Sequence, residues 1–153
     1  MGRRFAVIAL LIACGQPVGT RECLVGLWLD FAFPCPNNQF CKGSVPAAEC
    51  SFLDCVAQNA TDYFADGGFQ GLYLLRSPAQ RQFSAPPPPT FGTWSASNGH
   101  YMSGRFEATF TCTATQLTLG EGPLAPRSTR ADPEFAAAIR SAEASGQWTA
   151  VRY

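Results

Sequence analysis

The cysteines constrain this chain more than any other residue type, because seven fall in 153 residues and five of them lie between residues 23 and 55. A structural zinc site needs thiolates with roughly two to four residues between them, often joined by histidine. The five clustered cysteines are separated by eleven, five, eight and four residues, and the only histidine, His100, lies far along the chain. A C-x-x-C redox pair is absent from the sequence. The spacing favours disulfides, and we expect neither a metal nor a cofactor.

The first thirteen residues have the character of an export signal. Arg3 and Arg4 precede an uninterrupted apolar run over residues 5–13. A run of this length is enough for the apolar part of a signal peptide, but it is far short of the roughly 20 residues that a transmembrane helix needs. We therefore expect residues 1–13 to be a signal peptide, and we do not count them as a membrane span.

The apolar run ends in Leu-Ile-Ala-Cys at Cys14, which resembles the lipobox of bacterial lipoproteins. The resemblance implies that Cys14 is diacylated and that the chain is cleaved just before it; an ordinary secretory cleavage near residues 13–15 is the alternative. Two or three acyl chains anchor a protein stably, because each buried methylene contributes about 0.8 kcal/mol. Gly15 after the cysteine resembles an outer-membrane sorting signal. We expect a lipoprotein of the bacterial cell envelope, in the outer membrane facing the periplasm, with residues 14–22 as a tether.

Six cysteines remain if Cys14 carries lipid, and an even number in an oxidising compartment predicts three disulfides. These six are Cys23, Cys35, Cys41, Cys50, Cys55 and Cys112. Cys112 stands alone in the strand-rich half of the chain, so one bridge must join it to the N-terminal segment. Cys23, beside the first expected strand, is the partner that we favour, and Cys55 fits nearly as well. Residues 23–153 are expected to form one disulfide-bonded domain.

The composition is typical of a single β-rich, turn-rich domain. Hydrophobic residues make up 46% and charged residues 14% of the chain, with 12 Phe, 14 Gly and 12 Pro. Eleven Lys and Arg balance eleven Asp and Glu, so losing Arg3 and Arg4 with the leader leaves nine positive against eleven negative charges. This balance argues against nucleic acid as a partner.

Alternating apolar and polar residues predict an antiparallel sheet. Residues 24–33 are the first expected strand, with Leu27, Leu29, Phe31 and Phe33 on one face and Trp28, Asp30 and Ala32 on the other. An Asp-Gly turn at Asp66, between two aromatic runs, predicts a β-hairpin. Further short β-prone runs cover residues 80–85, 90–95, 99–103, 105–113, 116–119 and 148–152.

Three segments are expected to lie outside the sheet. Asp132 offers an N-cap oxygen and Gly146 can end a helix, which predicts a helix over residues 133–144. A second, short helix fits residues 46–58. Residues 120–130 are expected to be an irregular loop.

All three tryptophans, Trp28, Trp94 and Trp148, stand two residues after a glycine. In a β domain such an indole either closes one end of the core or contacts a ligand there. Their order, with a Tyr-Phe-x-Asp-Gly turn and a Phe-Thr-x-Thr strand between them, resembles the lipocalin-like domains of small bacterial lipoproteins. The resemblance implies a small all-β antiparallel barrel or partly open meander, here with one C-terminal-side helix and a disulfide-stapled N-terminal segment. It implies a shape and not an activity.

The sequence holds no complete catalytic constellation. A nucleophile needs an oriented base, and the only histidine, His100, lies in an expected turn. Asp62 and Asp66 could face each other across a loop, but turn chemistry already explains Asp66. We therefore expect a protein that is not an enzyme but binds a small apolar ligand or an envelope partner. The alternative is a structural or protein-interaction lipoprotein without a ligand cavity.

Overall fold

The computed structural model describes residues 19–34, 55–85 and 88–153. Two helices lie in these ranges, α1 (Arg21–Leu24) and α2 (Pro133–Ser145). Every pairing between the strands is antiparallel, in agreement with the expected mainly antiparallel fold. The strands are β1 (Gly26–Leu29), β2 (Phe33–Pro34), β3 (Val56–Tyr63), β4 (Gly68–Ser77), β5 (Gln82–Ser84), β6 (Thr90–Thr93), β7 (Ser95–Ser97), β8 (His100–Ser103), β9 (Phe106–Cys112), β10 (Gln116–Leu119), β11 (Arg127–Arg130) and β12 (Val151–Arg152).

The strands form one sheet in the order β12-β5-β4-β3-β1-β11-β10-β9-β8-β7, with β2 beside β3 and β6 beside β4. The sheet is not closed into a barrel, so the closed shape among our two expectations is wrong. The interruption lies at Trp94, where β6 leaves its partner β4 and the following β7 pairs with β8 instead. The backbone N–H of Trp94 donates to the Gly67 carbonyl at 2.8 Å, outside either ladder. The sheet therefore curves back on itself without closing.

The predicted hairpin is confirmed as β3 and β4, which pair from Tyr63 and Phe69 at the turn to Val56 and Arg76 at the far end. In the turn, the Asp66 side chain accepts from the backbone N–H of Gly68 at 2.8 Å. The expected helix over 46–58 is wrong at its last three residues, which begin β3; residues 46–54 lie outside the described ranges. β3 has strands on both sides, and this pairing overrides the local helical pattern.

A one-residue bulge separates β1 from β2. Leu29 pairs with Ala60, and Phe33 pairs with Ala57. Phe33 lies four residues after Leu29, whereas Ala57 lies only three residues before Ala60, so the β1–β2 segment contains one extra residue. An extra residue turns every later side chain to the other face of a sheet. The expectation that Phe33 shares a face with Leu27 and Leu29 is therefore wrong.

Helix α2 begins at the expected residue, Pro133, and ends at Ser145, one residue later than expected. The Asp132 side chain accepts from the Phe135 backbone N–H at 2.8 Å, and Gly146 ends the helix with a φ of 69°. That φ lies in the left-handed region that glycine adopts without strain.

The expected loop over 120–130 is wrong at its end, because Arg127–Arg130 forms β11 between β1 and β10. β11 lacks large apolar side chains, and Arg130 supplies its contacts with the neighbouring core instead. Its guanidinium lies over the Trp28 ring at 4.2 Å and donates to the carbonyls of Val25 and Cys23 at 2.9 and 2.5 Å.

Two cores lie on opposite faces of the central strands. The helix-side core packs α2 against the sheet and comprises Leu27, Leu29, Ala60, Leu72, Leu74, Phe83, Ala85, Ala131, Phe135, Ile139 and Ala142. The aromatic core lies on the other face and comprises Cys23, Leu24, Trp28, Tyr63, Trp94, Tyr101, Phe110, Cys112 and Leu117. We call this second face the inner face, because the sheet curves around it.

A disulfide joins Cys23 to Cys112 across 89 residues, which confirms the favoured pairing. Both cysteines are fully buried in the aromatic core. Cys55 is disulfide-bonded as well. Cys14, Cys35, Cys41 and Cys50 lie outside the described residues.

Candidate functional site

The inner face of the sheet is filled by the chain's own rings. Tyr63 lies at the centre, with its ring centroid 5.3 Å from Trp94 and 5.9 Å from Tyr101, both edge to face. The Tyr63 hydroxyl donates to that of Tyr101 at 3.3 Å, and Phe110 is buried in the same cluster. Burial in this cluster raises the pKa of the Tyr63 hydroxyl well above its ordinary value, so the group stays neutral. Side chains therefore fill this part of the inner face.

The structure brings two of the three tryptophans together in this core. Trp28 is 1% exposed, and its indole N–H donates to the Leu24 carbonyl at 2.7 Å. The indole N–H of Trp94 donates to the Gly68 carbonyl at 2.8 Å. Trp148 is half-buried against the helix-side core, on the opposite face. The shared glycine frame thus does not place the three indoles in one site.

A polar cleft of about 380 Å³ opens on the inner face beyond the aromatic core. Thr61 belongs to the cleft and pairs directly with Trp28 of the core, so the two share a face. The floor of the cleft crosses the strands β3 and β4. Its lining residues are Asp30, Asn59, Ala60, Thr61, Gly71, Leu72, Tyr73, Pro88 and Thr90.

Hydrogen bonds fix the Asp30 side of the cleft. The Ser128 hydroxyl donates to Asp30 Oδ1 at 2.6 Å, and the Asp30 backbone N–H donates to the Asn59 carbonyl at 3.0 Å. The Gln58 side chain donates to the Asp30 carbonyl at 2.6 Å. The carboxylate is therefore held in place before any ligand arrives. Burial also raises the pKa of Tyr73, so its hydroxyl remains a hydrogen-bond donor.

Sequence reasoning missed this cleft, although one signal for it was present. A glycine inside a strand marks a bulge or a close approach, and Gly71 lies within β4. A Cβ at Gly71 would stand 2.6 Å from Thr90 Oγ1, so only glycine lets Thr90 approach the floor this closely.

A second polar cluster lies under α2. Asp62 is 1% exposed, and its Oδ2 accepts from Arg140 Nε at 3.5 Å, while its Oδ1 has no hydrogen-bond partner among the described residues. Burial raises the pKa of Asp62, opposed in part by the Arg140 charge. The fully buried Gln70 faces Asp62 across the ladder and, with its amide oriented to satisfy its neighbours, donates to Glu143 at 3.0 and 3.2 Å. This cluster holds the helix to the sheet.

Asp62 and Asp66 do not form the facing pair that the sequence allowed. Asp62 lies under the helix, whereas Asp66 closes the hairpin turn through Gly68. His100 is exposed at the start of β8. The described residues contain no group of three His, Cys, Asp or Glu side chains that could hold a metal ion.

A larger cleft of about 590 Å³ lies at the start of α2 and is lined by Arg76, Arg81, Asp132 and Glu134, with Tyr153 and two prolines. Arg81 pairs with Glu134, and Asp132 caps the helix. The Arg76 guanidinium lies over the Phe135 ring at 4.3 Å and donates to the Tyr153 hydroxyl at 3.1 Å. These contacts join the sheet, the helix and the last strand, so we assign this cleft a structural role.

No family model, no curated protein and no solved structure matches the chain. Neither described helix is long and apolar enough to cross a membrane. Because no similar protein suggests a function, we infer one from the polar cleft and the aromatic core.

Proposed function

We propose that this chain is an exported, lipid-anchored envelope protein whose β domain binds an envelope partner at its surface. The filled aromatic core supports binding at the surface of the domain, and not in its interior. A small apolar ligand would have to displace the buried rings of Trp28, Tyr63 and Trp94, and losing such packing costs several kcal/mol. The open polar cleft needs no such displacement.

Export is supported by the cysteines and by the leader together. The Cys23–Cys112 bridge is fully buried and spans 89 residues, which is typical of a protein that folds in an oxidising compartment. The charged and apolar residues before Cys14 supply a signal for reaching that compartment.

The position of the cleft supports a partner on the side of the domain away from its anchor. The chain leaves the tether at Arg21, whose guanidinium donates to the Ala65 carbonyl at the hairpin turn. Asn59 of the cleft lies four residues along β3 from Tyr63, which is about 13 Å from the turn end. The seven residues from Cys14 to Arg21 span at most about 25 Å, so the turn end stays close to the membrane.

Membrane fractionation of a Cys14→Ser variant tests the anchor. We expect the wild type to incorporate labelled palmitate and to sediment with membranes, and the variant to lose the label and to enter the soluble envelope fraction. Gln16→Ala, in the same tether, is the matched control and should sediment as the wild type does. An unchanged membrane fraction for Cys14→Ser would overturn the anchor.

A further inference from the structure

The polar cleft has the size and the fixed polar groups of a ligand site. Its volume of about 380 Å³ falls at the lower end of the roughly 300–1,000 Å³ that small-molecule sites occupy. One wall carries the Asp30 carboxylate, held by Ser128, and the other carries the Thr90 hydroxyl, 3.4 Å from the Gly71 carbonyl. Asn59 and Thr61 stand between these walls on β3. The site thus presents acceptors and donors from three separate parts of the chain.

The chemistry of the lining disfavours anions, Ca²⁺, apolar ligands and peptide strands. Among the described residues of the lining, Asp30 is the only charged one, which disfavours anions, and a single carboxylate is too few ligands for Ca²⁺. An apolar ligand would strip water from the amide and hydroxyl groups without replacing their hydrogen bonds. A peptide strand would need free backbone groups, but Asn59 and Thr61 are already in the ladder with Tyr73 and Gly71.

An exposed aromatic pair, Phe31 and Phe33, follows β1, and Phe33 lies on the same face as the cleft. The bulge after Leu29 turns Phe33 to the inner face, because Phe33 pairs with Ala57, two residues before Asn59. Phe31 packs edge to face against Phe33 at 5.1 Å, and the two rings are 73% and 58% exposed. Two exposed phenyl rings in edge-to-face contact beside a hydroxyl-rich cleft provide apolar surface next to directional hydrogen-bonding groups.

We propose that the polar cleft binds a neutral saccharide, with sugar hydroxyls on Asp30, Asn59 and Thr61 and the apolar C–H face of a ring on Phe31 and Phe33. A sugar is the neutral ligand whose hydroxyls both donate and accept at close spacing while its ring presents a C–H face. The inference rests on the proposed function, because it names the class of the surface partner. The source is either a free sugar or a strand of an envelope polysaccharide.

The test is a two-dimensional ¹H–¹⁵N NMR titration of the oxidised mature chain with cellobiose, maltose and N,N′-diacetylchitobiose. We expect at least one disaccharide to shift the amides of residues 59–61, 71–73 and 90 saturably, with a Kd of about 1 mM or tighter. Asn59→Ala and Thr61→Val should each weaken that Kd about tenfold. Phe33→Ala should weaken it several-fold. Thr111→Val, an exposed threonine on β9 outside the cleft, is the matched control and should bind as the wild type does.

Chain length distinguishes the two sources. If affinity rises from disaccharide to hexasaccharide, the ligand is a polymer strand; if affinity stays constant, the ligand is a free sugar. Either result supports the site. The proposal is overturned if no disaccharide gives saturable shifts at about 10 mM, if glycerol shifts the same amides equally, or if the cleft variants bind as tightly as the wild type. The titration needs neither export nor a membrane, so its failure leaves the Cys14 experiment standing, and the reverse also holds.

Discussion

Replacing both cysteines of the Cys23–Cys112 bridge by alanine should destabilise this domain severely. The bridge closes 89 residues, for which the chain-entropy relation gives about 4 to 5 kcal/mol at 25 °C. A domain of this size is stable by roughly 5–15 kcal/mol, so the bridge supplies a large share of the total. At about 3–4 °C per kcal/mol, the melting temperature should fall by about 15 °C.

The effect is expected to be large because of where the two ends lie. Cys23 lies in α1, just before β1, and Cys112 is the last residue of β9. In the sheet, β11 and β10 lie between β1 and β9. The bridge therefore crosses the curved inner face instead of reinforcing a pair of neighbouring strands. Without it, these two parts are joined only through the ladder of β11 and β10 and by side-chain packing in the aromatic core.

Thermal unfolding followed by near-ultraviolet circular dichroism, on unreduced protein, is the assay. The double variant Cys23→Ala with Cys112→Ala leaves neither partner of this bridge as a free thiol, and Thr111→Ala on the exposed face of β9 is the matched control. A melting temperature within about 4 °C of the wild type, which corresponds to about 1 kcal/mol, would refute the entropic reasoning.

Two further predictions concern buried side chains. Burial raises the pKa of Asp62 above its ordinary value of 3.8, so the folded state holds the proton more tightly than the unfolded state, and the stability of the wild type should fall as pH rises from about 4 through that raised pKa. Melting temperatures from pH 4 to 7 should show that Asp62→Asn flattens this fall, whereas the exposed control Glu121→Gln keeps it; an equal slope in both would contradict the assignment. Trp28→Ala should lower the free energy of unfolding, measured in urea, by about 3–5 kcal/mol, and Trp148→Ala should lower it clearly less because Trp148 is only half-buried. Equal losses would mean that the aromatic core is packed no more tightly around Trp28 than the helix-side core is around Trp148.

Local signals explain which elements could be predicted from the sequence. The hairpin depends on an Asp-Gly turn at Asp66, and α2 depends on Asp132 and Gly146, all of which act through their own backbone neighbours. β11 depends instead on Arg130 stacking on Trp28, a contact between residues about a hundred positions apart. No window of sequence contains both partners, so the segment resembles a polar loop.

The candidate site was hidden for the same reason. The alternation of residues 24–33 correctly places Asp30 with Trp28, because Asp30 directly follows Leu29, the last residue in the regular pairing with β3. The alternation places Phe33 on the wrong face, because the bulge follows from the pairing of Leu29 with Ala60 and of Phe33 with Ala57, which the local sequence does not contain. The cleft depends on the same pairing between β1 and β3, and also on Thr90, which the pairing of β6 with β4 brings to it.

The bulge also links the fold to the proposed surface site. Burying a phenylalanine side chain stabilises a fold by about 1.5–3 kcal/mol, and regular pairing through residue 33 would have turned Phe33 toward the helix-side core. The extra residue sends it to the inner face instead, where it stays more than half exposed beside Asn59. Bulges of this kind occur next to binding sites, where they redirect a side chain. A fold that already fills both cores without Phe31 and Phe33 can leave these two rings at the surface, near a cleft whose Asp30 side is held in position by hydrogen bonds.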